Sequence, residues 1–196
     1  MGLTVNNLID WMNNFSAKIE QNKQYLSDLD TAIGDGDHGF NMSRGMIAVS
    51  QKLSTKPETI TDVFKQIAMT LISTVGGASG PLYGTAFLEM AKKSATSDDI
   101  GELLDAALAG IKKRGGAEPG DKTMVDVWSV LVPEVKAHNL TQEKIDSAVT
   151  ATKDLIAKKG RASYLGERSK GHVDPGSQSS GYLFEALLET KGILWV

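Results

Sequence analysis

Ile60-Thr61-Asp62-Val63-Phe64-Lys65-Gln66-Ile67-Ala68-Met69-Thr70-Leu71-Ile72 places apolar side chains at 60, 63, 64, 67, 68, 71 and 72. Intervals of three and four residues draw one broad stripe down a helix and do not suit a strand, whose faces alternate at every second residue. The helix is predicted over 58–75. Working outward, Leu8, Trp11, Met12, Phe15 and Ile19 give the same stripe to a helix over 4–25. Similar spacing recurs in 40–53, 82–94, 98–113, 122–137, 141–159 and 177–190. About eight helices and no convincing strand follow, so the fold class is all-α, a bundle or barrel with its glycine-rich loops at the helix ends. Lys56-Pro57, Gly76-Gly77, Gly115-Gly116 through Pro119-Gly120, and Asp174-Pro175-Gly176 mark the breaks. Pro133 is predicted to kink or divide its helix. Met12, Phe64, Met69, Phe87 and Trp128 read as ordinary core. Ile193-Leu194-Trp195-Val196 is read either as a cover for the body or as a contact for a partner.

A chain of 196 residues buries one substantial core, and a single domain over 1–196 is expected. Its 41% hydrophobic and 23% charged residues and net charge of -3 suit a soluble protein without the basic excess that collects nucleic acid. With no cysteine, thiolate metal sites and thiol nucleophiles are excluded, and chemistry falls to oxygen and nitrogen. Met1 to Asn7 lacks the basic and apolar regions of a signal peptide, and no apolar run approaches the ~20 residues of a membrane span. A cytoplasmic protein with no membrane partner is expected.

Three segments carry the candidate chemistry. Asp30, Asp35 and Asp37 are interleaved with Gly34, Gly36 and Gly39, which allow a tight path that turns carboxylates inward. Converging carboxylates repel one another unless a cation offsets them, and Mg²⁺, with its oxygen ligands and retained waters, suits them better than zinc or a closed calcium cage. The same residues also suit a solvated turn and helix cap. His38 is read as orienting phosphate, donating a hydrogen bond or satisfying the loop. Gly76-Gly77-Ala78-Ser79-Gly80-Pro81, ahead of a helix, has the small residues and hydroxyl of a phosphate cradle, or else makes a tight helix corner. Asp174-Pro175-Gly176-Ser177 is a turn before a helix that also suits a cap over a sugar or base. Lys122, Arg161, Arg168 and Lys170 are basic candidates for neutralising phosphate, and Met124, beyond Gly115-Gly116, is placed to pack on a flat base.

In this order and at these spacings, the segments Asp30–Gly39, Gly76–Gly84, Gly120–Asp126 and Asp174–Ser177 resemble the nucleotide-binding L-subunit family of bacterial dihydroxyacetone kinases, over essentially the whole chain. The resemblance implies an eight-helix antiparallel barrel whose loops at one end hold ADP, cycling to ATP, through two Mg²⁺ ions. It implies metal ligation by Asp30, Asp35 and Asp37 and catalysis by these three with His38. His38, Gly39, Phe40, Asn41, Ser79, Gly80, Gly115, Gly116, Met124, Arg161, Asp174, Pro175 and Gly176 would contact the nucleotide. It further implies a phosphohistidine-carrying M subunit of the phosphotransferase system as donor. The acceptor would be a K subunit that holds dihydroxyacetone on its own histidine, a task for which His38, His138 and His172 are poor candidates. A kinase domain using free ATP, a nucleotide-binding regulatory or adaptor protein, and a helical scaffold with solvated acidic loops are the competing readings. Monomer and homodimer both remain open.

Overall fold

The computed structural model describes residues 2–194. Among them eight α-helices are formed and no strand: α1 Val5–Ile33, α2 His38–Leu53, α3 Ile60–Thr74, α4 Ser79–Lys93, α5 Ile100–Gly115, α6 Met124–Lys136, α7 Gln142–Ala151 and α8 Pro175–Glu189. Two short 3₁₀ segments, Thr152–Asp154 and Arg161–Ser169, lie between α7 and α8. The helix starts are written locally. Thr4, Thr59, Asp99, Thr123, Thr141 and Asp174 each accept a backbone N–H of the following first turn, which satisfies donors that would otherwise be orphaned.

Each helix from α1 to α6 packs on the next, and α8 closes the ring by contacting α1. α6 also touches α8 directly, and the short α7 packs against both. The antiparallel order shows in how the ends are sorted. One cavity gathers the C-terminal ends of α1 and α5 and the loop that follows α3 with the N-terminal ends of α2, α4, α6 and α8. A second depression at the other end takes the start of α5 and the end of α6.

Apart from Ile72, which is 44% exposed at the end of α3, the stripes read from the sequence face one continuous core in which Trp11, Phe15, Phe64, Tyr83, Phe87, Trp128 and Phe184 are fully buried. Each such side chain contributes about 1.5–3 kcal/mol of transfer free energy. Trp128 meets Phe184 edge-on, with centroids 5.2 Å apart and planes at 77°, the arrangement favoured by the ring quadrupoles.

Four details differ from the sequence expectations. α1 runs to Ile33 instead of ending near 25, because Leu26, Ser27, Asp30 and Ile33 continue its inner face with two polar members. α7 stops at Ala151 instead of reaching 159; the hydroxyl of the buried Thr152 turns back to the Val149 carbonyl at 2.8 Å as the chain tightens. Pro133 lies inside α6 without dividing it, and the helix continues to Lys136. Met69 is not core. It is 62% exposed on α3, since the helix rotates residues 63, 64, 67, 68 and 71 inward and leaves 69 on the outer face. Ile193 is buried and Leu194 packs against the core, so the start of the C-terminal segment covers the body, while Trp195 and Val196 lie outside the described residues.

Candidate functional site

The cavity at the first end has a volume of about 450 Å³. Its acidic wall is Asp30, Asp35 and Asp37, which present carboxylate oxygens within 4.8 Å of one another. Asp30 is not a loop residue, as expected, but stands in the last turn of α1 and is buried. One of its oxygens accepts the backbone N–H of Asp37 at 2.9 Å and of His38 at 3.1 Å. The end of α1 is thereby tied to the start of α2. The other oxygen lies against Gly34, where a Cβ would come within 2.1 Å of it, so glycine is what leaves room for the carboxylate. Burial raises the Asp30 pKa, and the charges of Asp35 and Asp37 add to the rise against the lowering effect of the two backbone donors. A carboxylate held under such strain gains from a nearby cation. Asp35 and Asp37 are exposed, and the Arg161 guanidinium stands 3.2 Å from Asp35 across the mouth.

The second wall is Gly76, Gly77, Ala78 and Ser79, at the N-terminus of α4. Gly77 has φ of 68°, and a Cβ there would meet nothing within 4 Å, so the turn is both left-handed and open to an approaching ligand. The helix end aims unpaired backbone donors and a favourable dipole at this space. Between the two walls lies His38, buried in the first turn of α2, with Nδ1 3.1 Å from the Ser79 hydroxyl and Nε2 2.9 Å from that of Ser179. Burial pushes its pKa down to about 4, so the ring is neutral at physiological pH.

The remaining walls come from Gly115, Met124, Asp174, Pro175, Gly176 and Arg161. Asp174 caps α8 by accepting the Ser177 N–H at 2.7 Å, and burial pushes its pKa up to about 6. Lys122 also reaches the cavity wall, but its ammonium is turned away. It donates to the carbonyls of Thr152, Leu155 and His172 at 2.6, 3.1 and 2.5 Å, and so pins together the three loops on that side. That correction removes Lys122 from the phosphate-neutralising candidates.

The structure therefore brings Asp30, Asp35, Asp37, His38, Asn41, Ser79, Gly115, Met124, Arg161, Asp174, Pro175 and Gly176 to one cavity. Gly39, Phe40, Gly80, Gly116, Arg168 and Lys170 are not among its lining residues. Gly39 and Gly80 serve close packing instead: a Cβ would fall 1.8 Å from the Lys23 carbonyl in the first case and 2.3 Å from the Val75 carbonyl in the second. Phe40 points outward, and Gly116 closes α5 in the left-handed conformation. Sequence reasoning missed Arg114 and Lys159 as further cations, and Leu82, Ile111 and Ala117 as an apolar floor. Ile111 and Arg114 sit one turn apart at the end of α5, just before the glycine pair, which is the signal that places them.

Residues 32–189 match the DAK2 domain. The chain belongs to the DAK2-domain family. Among its DAK2 relatives, the PTS-dependent dihydroxyacetone kinase ADP-binding subunit DhaL of Lactococcus lactis is 52% identical over 188 residues, covering 95% of this chain and 98% of that one. The ADP-binding subunit DhaL of PEP-dependent dihydroxyacetone kinase 1 of Listeria innocua is 51% identical over 186 residues, covering 92% and 94%. In three dimensions, the native dihydroxyacetone kinase of C. freundii matches with a TM-score of 0.76 at 26% identity, over 94% of this chain and 34% of the larger one. The DAK2 fold is thus shared by separate subunits about as long as this chain and by one part of a longer kinase.

Proposed function

We propose that this chain is the ADP/ATP-carrying subunit of a phosphotransferase-system-dependent dihydroxyacetone kinase, working in the cytoplasm between an M subunit as phosphoryl donor and a K subunit that holds dihydroxyacetone. The observation that carries the reading is the convergence, on one cavity, of three carboxylates within 4.8 Å of each other and the open N-terminus of α4. The DhaL relatives, described as ADP-binding and matched along nearly their full length, support it.

The residues fit a Mg²⁺-nucleotide. Asp30, Asp35 and Asp37 supply the hard anionic ligands that such ions take while keeping waters and phosphate oxygens, and two Mg²⁺ are proposed here. Gly76 to Ser79 approach an anion with backbone donors, and Leu82, Ile111 and Met124 offer apolar surface to a base. When bound, the nucleotide and its metals supply the transferable phosphoryl group and the positive charge that offsets it.

The chain's own residues position and neutralise. The α4 amides and Ser79 hold phosphate oxygens in fixed directions, which avoids reorganising solvent as charge shifts. Arg161, Lys159 and Arg114 stand around the mouth, where they balance charge that the carboxylates cannot. No side chain need become phosphorylated, and His38, neutral with both ring nitrogens engaged, is held as a hydrogen-bonding group. The test is reconstitution: this chain preloaded with ADP and Mg²⁺, phosphorylated M subunit and dihydroxyacetone-loaded K subunit, followed for dihydroxyacetone phosphate. Product formed in proportion to M-subunit phosphate, without added ATP, is expected. Product formed only with excess free ATP, or none at all, would overturn the retained-cofactor reading.

A further inference from the structure

His38 and Ser79 are the pocket end of a longer file of hydrogen bonds that crosses the core. The Trp128 indole N–H donates to the Ser180 hydroxyl at 2.9 Å, Ser180 lies 3.0 Å from the Tyr83 hydroxyl, and Tyr83 lies 2.8 Å from the Ser179 hydroxyl. Ser179 meets His38 Nε2, and His38 Nδ1 meets Ser79. Tyr83, Ser179, Ser180 and Trp128 are all completely or almost completely buried, and no solvent competes for these contacts.

An indole nitrogen only donates, and each hydroxyl has one hydrogen. Trp128 therefore fixes the first step. Ser180 accepts from it, and because a hydroxyl oxygen has two lone pairs the Ser180–Tyr83 and Tyr83–Ser179 links can run either way; the outward order, Ser180 to Tyr83 to Ser179, is the one that delivers a hydrogen toward His38. Ser179 then has two acceptors in reach, His38 Nε2 at 2.9 Å and the Gly176 carbonyl at 3.1 Å. If it donates to the carbonyl, His38 carries its proton on Nε2, Ser79 spends its hydrogen on Nδ1, and only oxygen lone pairs face the cavity. If it donates to His38, the proton sits on Nδ1, Ser79 accepts from the ring, and the Ser79 hydrogen is released toward the cavity. Only the second pattern gives a phosphate oxygen a donor.

We infer that in the nucleotide-bound protein the whole file is polarised outward from Trp128, with His38 in the Nδ1–H form, so that Tyr83 and Ser179 are positioning residues that turn the Ser79 hydroxyl into a phosphate donor. The inference rests on the cavity being the nucleotide site. It assigns work to Tyr83, Ser179 and Ser180, none of which is a cavity-lining candidate from the sequence. Mutual polarisation along such a file strengthens each link, which is how a buried indole acts on a ligand it never touches.

The experiment is ¹⁵N-detected NMR of the imidazole nitrogens in histidine-labelled protein, alone and saturated with Mg²⁺ and ADP. It is paired with calorimetric ADP binding to wild type, Tyr83→Phe, Ser79→Ala and the double variant. The result expected is a protonated Nδ1 and an unprotonated Nε2 on His38 in the complex. Binding should be roughly 3–10-fold weaker in Tyr83→Phe, the loss of about one hydrogen bond, with no further loss when the change is made on top of Ser79→Ala. A merely structural role for Tyr83 would weaken binding equally in both backgrounds and would overturn the inference. A His38 protonated on Nε2 in the complex would overturn it while leaving the nucleotide site intact. Absence of any saturable response to Mg²⁺ and ADP would overturn both.

Discussion

Lys122→Met is a change whose consequence can be worked out from the geometry. The Lys122 side chain is 1% exposed, and its ammonium is held by three carbonyls at 2.5 to 3.1 Å, with Asp174, Asp154 and Asp126 as the anions that stabilise its charge. Methionine keeps the length and most of the volume but leaves three acceptors unsatisfied, each worth about 1–3 kcal/mol. Part of this is returned, because the ammonium no longer has to be desolvated. The net loss is about 3–5 kcal/mol, the range for breaking a buried charged contact. In a protein of this size that lowers the melting temperature by roughly 10 °C. The damage should be local first, since the carbonyls belong to the 152–155 turn and to residue 172, beside the Asp174 cap. Hydrogen exchange of residues 152–158 and 170–174 should rise more than that of α2 to α4, and nucleotide binding should weaken even at temperatures where the fold persists. Lys122→Arg should not rescue, because a planar guanidinium cannot serve three carbonyls gathered around a tetrahedral ammonium. A Lys122→Met protein that melts within about 1 kcal/mol of wild type, with unchanged exchange in those loops, would refute the reasoning.

Three further outcomes are expected. Asp35→Ala should abolish Mg²⁺-dependent retention of ADP in equilibrium dialysis while leaving thermal stability unchanged or slightly raised, because it removes one of three mutually repelling carboxylates. Gly39→Ala should force α1 and α2 apart at the Lys23 carbonyl and cost about 1–3 kcal/mol in urea denaturation; full stability there would disprove the close contact. His38, with a folded pKa of about 4 against an ordinary 6.5, refuses a proton that the unfolded chain accepts. Its contribution is therefore complete above pH 6.5 and lost as pH falls toward 4, by about 3 kcal/mol in all. Asp174, raised to about 6, works in the opposite sense, gaining stability as pH falls from there toward its ordinary 3.8. The His38 effect is thus read as the stability difference between wild type and His38→Gln, measured at pH 7 and pH 4.5, and an equal difference at both values would contradict it.

Helix number and order were legible because stripes such as Ile60 to Ile72 meet a single requirement, burial of one face. Where the inner face is polar the signal fails: Ser27 and Asp30 extend α1 inward, and Ser177, Ser179 and Ser180 are buried on α8 although serines read as solvent-facing. The partners of Ser179 and Ser180 are His38, Tyr83 and Trp128, far away in the chain, so nothing within a local window announces them. The carboxylates and the Ser79 loop were legible because glycine spacing limits what such segments can do. Whether a given glycine faces ligand or backbone was not, and Gly39 and Gly80 turn out to face backbone. For Lys122, charge in a loop looks the same whether it meets phosphate or three carbonyls, and only tertiary placement separates the two.

The most direct test of the central claim is native mass spectrometry of the gently purified chain in volatile buffer with trace Mg²⁺, followed by denaturation and identification of the released small molecule. The account predicts ADP retained with two Mg²⁺ ions. A protein that arrives empty and gains no mass when ADP and Mg²⁺ are added would contradict it.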